Sequence, residues 1–189
     1  GMCMKYEEKQ FPLKDGSILT IRSAEKNDAA CMTEYVKITA GETPYLLRNP
    51  DEIHLSQEEE EAFVQKNVDD PNSLLLISFV DGHHAGNASF SPVGPFRRYQ
   101  HRCEIGIALY QKDTGRGIGR ILLTELLQKT AEAGFEQAEL CVAAANTKAI
   151  HLYESVGFQE YGRLEHSMKY DDGSYAADIF MVKRLNGQD

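Results

Sequence analysis

The chain has 189 residues, of which 42% are hydrophobic and 26% are charged, and its formal net charge is −9 at pH 7. This length and balance predict one soluble globular domain over residues 1–189, long enough to bury a substantial core. The negative charge disfavours non-specific binding of nucleic acid, which requires a basic face, and no apolar run reaches the ~18 residues of a membrane-spanning helix.

The N-terminal residues contain no apolar signal region, which favours a cytoplasmic location. Gly1 precedes Met2, as a residue left by an expression tag does, and residues 1–17 are expected to be an extension ahead of the domain. The four cysteines contain no Cys-x-x-Cys pair and the six histidines form no ligand pattern, so no metal site is predicted. Cys103 and Cys141 lie in apolar runs and are expected to be buried thiols.

The N-terminal half is predicted from alternating hydrophobic residues, helix caps and Gly or Pro breaks. In chain order it contains a strand at 18–23, a helix from an Asn27 or Asp28 cap to about Thr39, a helix from a Ser56 cap to about Val68, and strands at 74–80, 85–91 and 102–110. The acidic run at 58–61 opens the second of these helices. We interpret it as a solvated face that favours the positive end of the helix, rather than as a catalytic acid cluster.

The stretch from Asp113 to Leu123 is the most informative part of the sequence. Gly115, Gly117 and Gly119 alternate with larger residues directly before an apolar helical pattern. Such a backbone bends tightly, and the first helical turn adds unpaired N–H groups and the positive end of the dipole, so a phosphate or pyrophosphate binds naturally there. The alternative is a flexible loop that merely precedes a helix.

Spacing excludes one familiar phosphate-binding loop and disfavours another. A P-loop needs a Lys-Ser/Thr pair after its glycines, and none follows here. The dinucleotide fingerprint Gly-x-Gly-x-x-Gly, counted from Gly115, would need glycine where Arg120 stands. A different phosphate-bearing ligand is therefore expected.

The C-terminal half continues with a helix from Ile118 that Gly134 ends. A strand at 138–142, a short helix capped by Asn146 and ended by Gly157, and strand-like segments at 158–168 and 175–185 follow. A hairpin turn at 171–174 joins the last two segments. The order β-α-α-β-β-β-α-β-α-β-β predicts a single mixed α/β domain.

Two motifs in this order resemble those of the GNAT superfamily of acyl-CoA-dependent N-acyltransferases. The family's pyrophosphate loop, Gln/Arg-x-x-Gly-x-Gly/Ala, is matched at residues 114–119 by Gly117 and Gly119, while Thr114 stands where Gln or Arg is usual. The second motif, Asn146-x-x-Ala149-x-x-x-Tyr153-x-x-x-Gly157-Phe158, has the family's spacing throughout.

The resemblance implies an α/β (α+β mixed) fold whose central mixed, mostly antiparallel sheet is flanked by helices and splayed. It implies that the strands at 102–110 and 138–142 part at their C-terminal ends, and that the pantetheine arm of acetyl-CoA lies in the gap against the backbone near Leu109. The residues expected to bind acetyl-CoA are Leu109, Thr114, Gly115, Arg116, Gly117, Ile118, Gly119, Asn146 and Tyr153. No metal is expected.

Two catalytic residues are expected, Tyr153 from the second motif and Glu104 from its position in the strand. Tyr153 is expected to protonate the departing thiolate, the alternative being an aromatic core residue. Glu104 is expected to be the general base, because its strand lies beside the cofactor and its side chain lies on the face opposite Ile105, Ile107 and Leu109. The alternative for Glu104 is a structural hydrogen bond or an ion pair with Arg102.

The predicted function is transfer of an acetyl group from acetyl-CoA to a primary amine of a small molecule or protein. The acceptor is expected in a cleft between the 92–99 loop, with Phe96 and Tyr99, and the N-terminal helices. No nucleic acid or membrane partner is expected, and a homodimer is one alternative for the oligomeric state. Two other functions remain open: a non-catalytic acyl-CoA-binding or regulatory module, and a dinucleotide-binding domain, which the glycine spacing disfavours.

Overall fold

A computed structural model describes residues 6–185 as eight strands and four helices, with short 3₁₀ turns between some of them. The strands are β1 (Lys9–Pro12), β2 (Ile18–Ser23), β3 (Leu74–Val80), β4 (His83–Pro92), β5 (Arg102–Leu109), β6 (Gln137–Ala143), β7 (Gln159–Lys169) and β8 (Tyr175–Arg184). The helices are α1 (Ala29–Glu42), α2 (Gln57–Asp69), α3 (Ile118–Glu132) and α4 (Thr147–Ser155).

All eight strands form one sheet in the order β1-β2-β3-β4-β5-β6-β8-β7. Every neighbouring pair is antiparallel except β5 and β6, which are parallel and are joined by the crossover that contains α3. This arrangement confirms the mixed α/β class and the mostly antiparallel sheet expected from the sequence.

The helices cover both faces of the sheet because the buried strands are apolar on both faces. Along β3, Leu74 and Leu76 join the larger core, which includes most buried residues of α3, whereas Leu75 and Ile77 join a smaller cluster with Met32 of α1 and Val64 of α2. Helices α3 and α4 therefore pack on one face, and α1 and α2 pack on the other.

Three local features differ from the sequence-based expectation. Strand β1 lies within residues 1–17 and pairs with Ile18–Ile21 of β2, although its exposed residues give no hydrophobic period. Helix α1 continues through Gly41 to Glu42 and ends only before Thr43-Pro44, where a proline disfavours the helical conformation of the preceding residue. Cys103 is buried as expected, but the burial predicted for Cys141 is wrong, because this thiol is exposed.

Within residues 6–185, no helix is both long enough and apolar enough to cross a membrane.

Candidate active site

The sheet splits between β5 and β6. The two strands pair only over Arg102–Glu104 and Gln137–Glu139. Beyond these residues β5 continues to pair with β4 as far as Leu109, and β6 continues to pair with β8 as far as Ala143. The C-terminal halves of β5 and β6 therefore border an open gap, which confirms the splayed sheet.

Hydrogen-bond alternation places backbone groups of β5 in this gap. The N–H of Tyr110 donates to the carbonyl oxygen of Ala85 in β4 at 2.9 Å. Because successive residues of a strand direct their N–H and C=O groups to opposite edges, those of Ile107 and Leu109 point away from β4. The gap is thus lined on its β5 side by polar backbone groups that β6 does not reach.

The glycine-rich loop lies between β5 and the N-terminus of α3. Gly115 and Gly117 have φ of +77° and +84°, and a Cβ on either glycine would meet no atom within 4 Å. Gly117 caps α3, and the Ile121 N–H is bonded to the Gly117 carbonyl oxygen. The preceding N–H groups of Ile118 to Arg120 thus have no partner within the helix, and a helix start of this kind can accept an anion.

Gly119 has a different role from the two glycines before it. A Cβ at this position would lie 2.9 Å from Cδ2 of Leu152, which belongs to α4. The absence of a side chain therefore lets the first turn of α3 approach α4, and both sequence motifs meet at this contact.

The side chain of Arg116 is directed to neighbouring carboxylates. It donates to Asp15 at 2.9 Å and to Asp113 at 3.0 Å, and Nη2 donates to the Ser17 hydroxyl at 2.6 Å. Asp113 is buried and also contacts His83 Nε2 at 3.0 Å. The guanidinium of Arg116 thus fastens the loop to the β1–β2 hairpin, while its backbone N–H remains part of the loop.

Thr114 takes part in the turn that opens the loop. Both its hydroxyl and its N–H donate to the carbonyl oxygen of Gln111, at 2.7 and 3.1 Å. Sequence reasoning selected the glycines but missed Asp113. Its buried carboxylate contacts both Arg116 and His83 and thereby holds the turn in place.

Asn146 and Tyr153 belong to the cap and the body of helix α4. The side-chain oxygen of Asn146 accepts from the N–H of Ala149 at 3.3 Å, so it is the predicted helix cap. Tyr153 is buried, its ring lies 5.9 Å from that of Phe158, and burial raises the pKa of its phenol to about 12. The phenol is therefore protonated at neutral pH, as a proton donor must be.

Glu104 lies on the face of the sheet expected from the sequence. Ile105 is buried among the α3-side core, whereas Glu104 is exposed on the other face. The alternative partner Arg102 is bonded elsewhere, because its guanidinium donates to both carboxylate oxygens of Glu139, at 2.6 and 2.7 Å.

A cavity of about 390 Å³ lies on the same face as Glu104, between α1, α2 and the strands β4 and β5. Gly106 and Ala108, which follow Glu104 on this face, form part of its floor, and the Tyr35 hydroxyl donates to the Ala108 carbonyl oxygen at 2.7 Å. The lining includes the N-terminal helices, as expected, but no residue of the 92–99 loop. In that loop the ring of Tyr99 instead lies beneath the Arg102 guanidinium.

Two charged side chains line this cavity, Arg48 and Glu60. Glu60 is only 3% exposed, so the interpretation of the acidic run as a solvated face is wrong for this residue. Glu60 is four residues before the buried Val64 and shares its inward face. That spacing was the signal that could have identified it.

Comparison with known proteins gives consistent results. The model of the GNAT family of acetyltransferases matches residues 41–158, more than half of the chain. The L-amino acid N-acyltransferase MnaT of Escherichia coli is 29% identical over 84 residues, which are 44% of this chain and 49% of that protein. The chain thus matches about half the length of this relative.

Solved structures match over a larger share of the chain. An acetyltransferase of the GNAT family from Streptococcus pneumoniae has a TM-score of 0.84 and 28% identity, over 88% of this chain and 99% of that one. YncA of Salmonella typhimurium, solved with its cofactor acetyl-CoA, has a TM-score of 0.80 and 23% identity over 90% of this chain and 95% of its own. At that identity the second match shows a shared fold.

Proposed function

The chain belongs to the GNAT family of acetyltransferases, and from this premise we propose that it transfers an acetyl group from acetyl-CoA to a primary amine of a small molecule or protein. The observation that carries the proposal is the gap between β5 and β6, with unpaired backbone groups on one side and the glycine-rich loop at its end. These features suit the extended, amide-containing arm and the pyrophosphate of acetyl-CoA, respectively.

The residues present fit acetyl-CoA by two structural criteria. The space around Gly117 is empty where a Cβ would stand, so a phosphate can approach the backbone there. The C-terminal half of β5 offers N–H and C=O groups along an edge that no strand occupies. In this proposal the loop and the N-terminus of α3 hold the pyrophosphate, and Leu109 lies beside the thioester.

When bound, acetyl-CoA would supply a thioester, and transfer of its acetyl group to the amine nitrogen would leave the electron pair of the broken C–S bond on sulfur. The backbone N–H of Leu109 would donate to the thioester oxygen, where negative charge would develop. The phenol of Tyr153 would give its proton to the sulfur, and Glu104 would receive the proton that the amine loses, directly or through water. The products are an amide and CoA with a free thiol.

The acceptor is placed in the cavity between α1, α2 and β4–β5 because this cavity and the gap share strand β5. Its volume of about 390 Å³ lies at the lower end of the usual range for small-ligand sites. The relative MnaT is named for L-amino acids, so amino acids are the acceptor class to test before protein amines.

We infer a cytoplasmic location from the sequence and from the free thiols of Cys31, Cys103 and Cys141 among the described residues. The net charge of −9 argues against non-specific binding of nucleic acid. A homodimer remains the proposal for any self-association, and light scattering of the purified protein tests it.

Two measurements test the proposed function. In separate calorimetric titrations, acetyl-CoA should bind to the protein and NAD should not. A thiol-release assay over a panel of amino acids, polyamines and peptides should then identify an acceptor. Binding without turnover of any amine would favour a non-catalytic acyl-CoA-binding module, and binding of NAD without acetyl-CoA would overturn the family-based mechanism.

A further inference from the structure

The acceptor cavity contains one buried carboxylate with no partner. Glu60 is only 3% exposed, yet within residues 6–185 its side chain forms no hydrogen bond and no ion pair. A buried, unpaired carboxylate is costly, and burial raises the pKa of Glu60 while the charge of Arg48 lowers it. A cation placed beside Glu60 would remove most of this cost.

The cavity also contains one cation, at a different position. Arg48 is exposed overall but contributes to the lining, so it stands at the mouth, whereas Glu60 lies inside. Their charges interact, but among the described residues the two side chains form no ion pair. The cavity lining thus contains two opposite charges that do not form an ion pair with each other.

The rest of the lining is mainly apolar. Met32, Val36, Leu55 and Phe63 also line the cavity. An acceptor that fits this arrangement carries a cationic group, an anionic group and a short apolar portion. A long polyamine would place a second cation beside Arg48, and a monoamine would leave Arg48 without a partner.

We propose that this cavity selects a compact zwitterion, an amino acid with an apolar side chain whose carboxylate binds Arg48 and whose amino group binds Glu60. The inference rests on the proposed function, which it deepens by naming the acceptor class and the two residues that recognise it. Glu60 acts by holding and orienting the amino group near residues 106–108 of β5, and Glu104 keeps its role as the proposed base.

Three probes of nearly the same shape separate the contributions of the two charges. L-leucine has both charged groups, isopentylamine has the amine without the carboxylate, and 4-methylpentanoate has the carboxylate without the amine. With acetyl-CoA present, the wild-type protein should acetylate L-leucine with a kcat/KM at least ~10-fold above that of isopentylamine, since charged hydrogen bonds contribute about this much. 4-Methylpentanoate should inhibit competitively.

Two variants assign the charges to residues. Arg48→Gln should raise KM for L-leucine by about 10-fold or more and leave that for isopentylamine unchanged. Glu60→Gln, which keeps the volume, should raise KM for both amines by a similar factor. The controls are Glu58→Gln, an exposed carboxylate of the same helix, and Arg163→Gln, which removes a cation on β7 that pairs with Glu165. Neither control should change either KM.

The outcomes separate this inference from the proposed function. If acetyl-CoA binds and isopentylamine or a peptide reacts as well as every amino acid, the zwitterion is not selected and only this inference fails. If Glu60→Gln lowers the melting temperature but leaves both KM values unchanged, Glu60 has a structural role and the inference is also overturned. If acetyl-CoA does not bind, the proposed function fails, and calorimetric titration with L-leucine alone still tests the cavity. No binding, or equal binding by wild type and both variants, overturns it.

Discussion

At the scale of single residues, the site combines groups that are chemically unremarkable alone. A tyrosine in a core, a glycine in a turn and a buried glutamate each have structural explanations. Tyr153 illustrates the two interpretations: it contacts Phe158 as a core residue would, yet it lies on the short helix whose cap is Asn146 and has a phenol pKa raised to about 12. Only a measurement that separates folding from turnover distinguishes these interpretations.

Replacing Tyr153 by phenylalanine should lower kcat while leaving the binding of acetyl-CoA nearly intact. The change removes a proton donor and little volume, and general acid–base contributions are typically ~10²–10⁴-fold. Steady-state kinetics and thermal unfolding should be measured on the same preparation. A lower melting temperature with more than about half of wild-type kcat would assign Tyr153 to packing alone and leave another proton source for the thiolate.

Replacing Gly117 by valine should abolish tight binding of acetyl-CoA. The new side chain would occupy the open space before α3 and would also be strained by the φ of +84°. Gly173→Val is a matched control, since Gly173 has φ of +89° and equally open surroundings in the turn between β7 and β8. Both variants should lose similar stability in urea, but only Gly117→Val should lose affinity in calorimetry. Equal affinities would show that phosphate does not approach Gly117.

At the scale of secondary-structure elements, the position of β5 determines both the gap and the cavity. Strand β4 fixes it closely: a Cβ on Gly86 would lie 2.8 Å from the Leu109 Cα and closer still to the Ala108 carbonyl oxygen. Strand β4 also contains an extra residue, Ala85, where its pairing with β3 shifts. The end of β5 is therefore set by its neighbour rather than by its own sequence.

Replacing Gly86 by alanine should impair catalysis through the backbone of β5. The added methyl group cannot be accommodated by a side-chain rotation, because it meets main-chain atoms, and the end of β5 near Leu109 must shift. We expect kcat/KM to fall by 10²-fold or more, since misplacement of reacting groups by about 1 Å has effects of this size. Gly162→Ala on β7 serves as the control, because a Cβ on Gly162 meets only the Phe180 side chain, at an ordinary contact distance of 3.8 Å. If the two variants have equal activity, the close β4–β5 approach does not matter for catalysis.

An element can be predicted from sequence when its own residues determine it, and not when it depends on contacts with distant residues. The buried strands and α3 were predicted because their hydrophobic periods are long and uninterrupted. Strand β1 was not, because its four residues, of which only Phe11 is partly buried, gain their structure from pairing with β2. The same limit applies to the site: the glycines near 117 are visible in sequence, but the contact of Arg116 with Asp15, 101 residues away, is not.

At the scale of the whole molecule, the sheet consists of two parts joined by a short parallel ladder. Residue Glu139 of this ladder accepts two hydrogen bonds from Arg102, and these lower the pKa of its carboxyl group, against the opposing effect of burial. The pair lies next to the point at which β5 and β6 diverge. The Arg102–Glu139 pair therefore stabilises the short ladder that still joins β5 to β6.

Replacing Glu139 by glutamine should reduce the free energy of unfolding at pH 7 by about 1 kcal/mol, a value kept small because Arg102 is partly exposed. A carboxyl group with a lowered pKa stabilises the folded state above its unfolded pKa of 4.5, and this contribution is lost as the pH falls through the folded pKa. The difference between wild type and variant should thus shrink progressively as the pH falls below about 4.5. Urea unfolding across this interval measures it.

The control for this change is Glu132→Gln, which removes an exposed partner of Lys129 and should alter stability by less than about 0.5 kcal/mol at any pH. A Glu139→Gln variant as stable as wild type at pH 7 would contradict the assigned role of the ion pair.

The divergence of β5 from β6 has a consequence for solvent exchange of single amides. Along residues 107–110 the N–H groups alternate between the ladder with β4 and the open gap, so in the free protein the amide protons of Ile107 and Leu109 should exchange with deuterium much faster than those of Ala108 and Tyr110. Saturation with acetyl-CoA should slow the odd-numbered pair selectively, as if a ninth strand had been inserted. Hydrogen exchange measured by NMR at each amide detects this alternation. Uniform protection along the segment in the free protein would mean that the gap is closed.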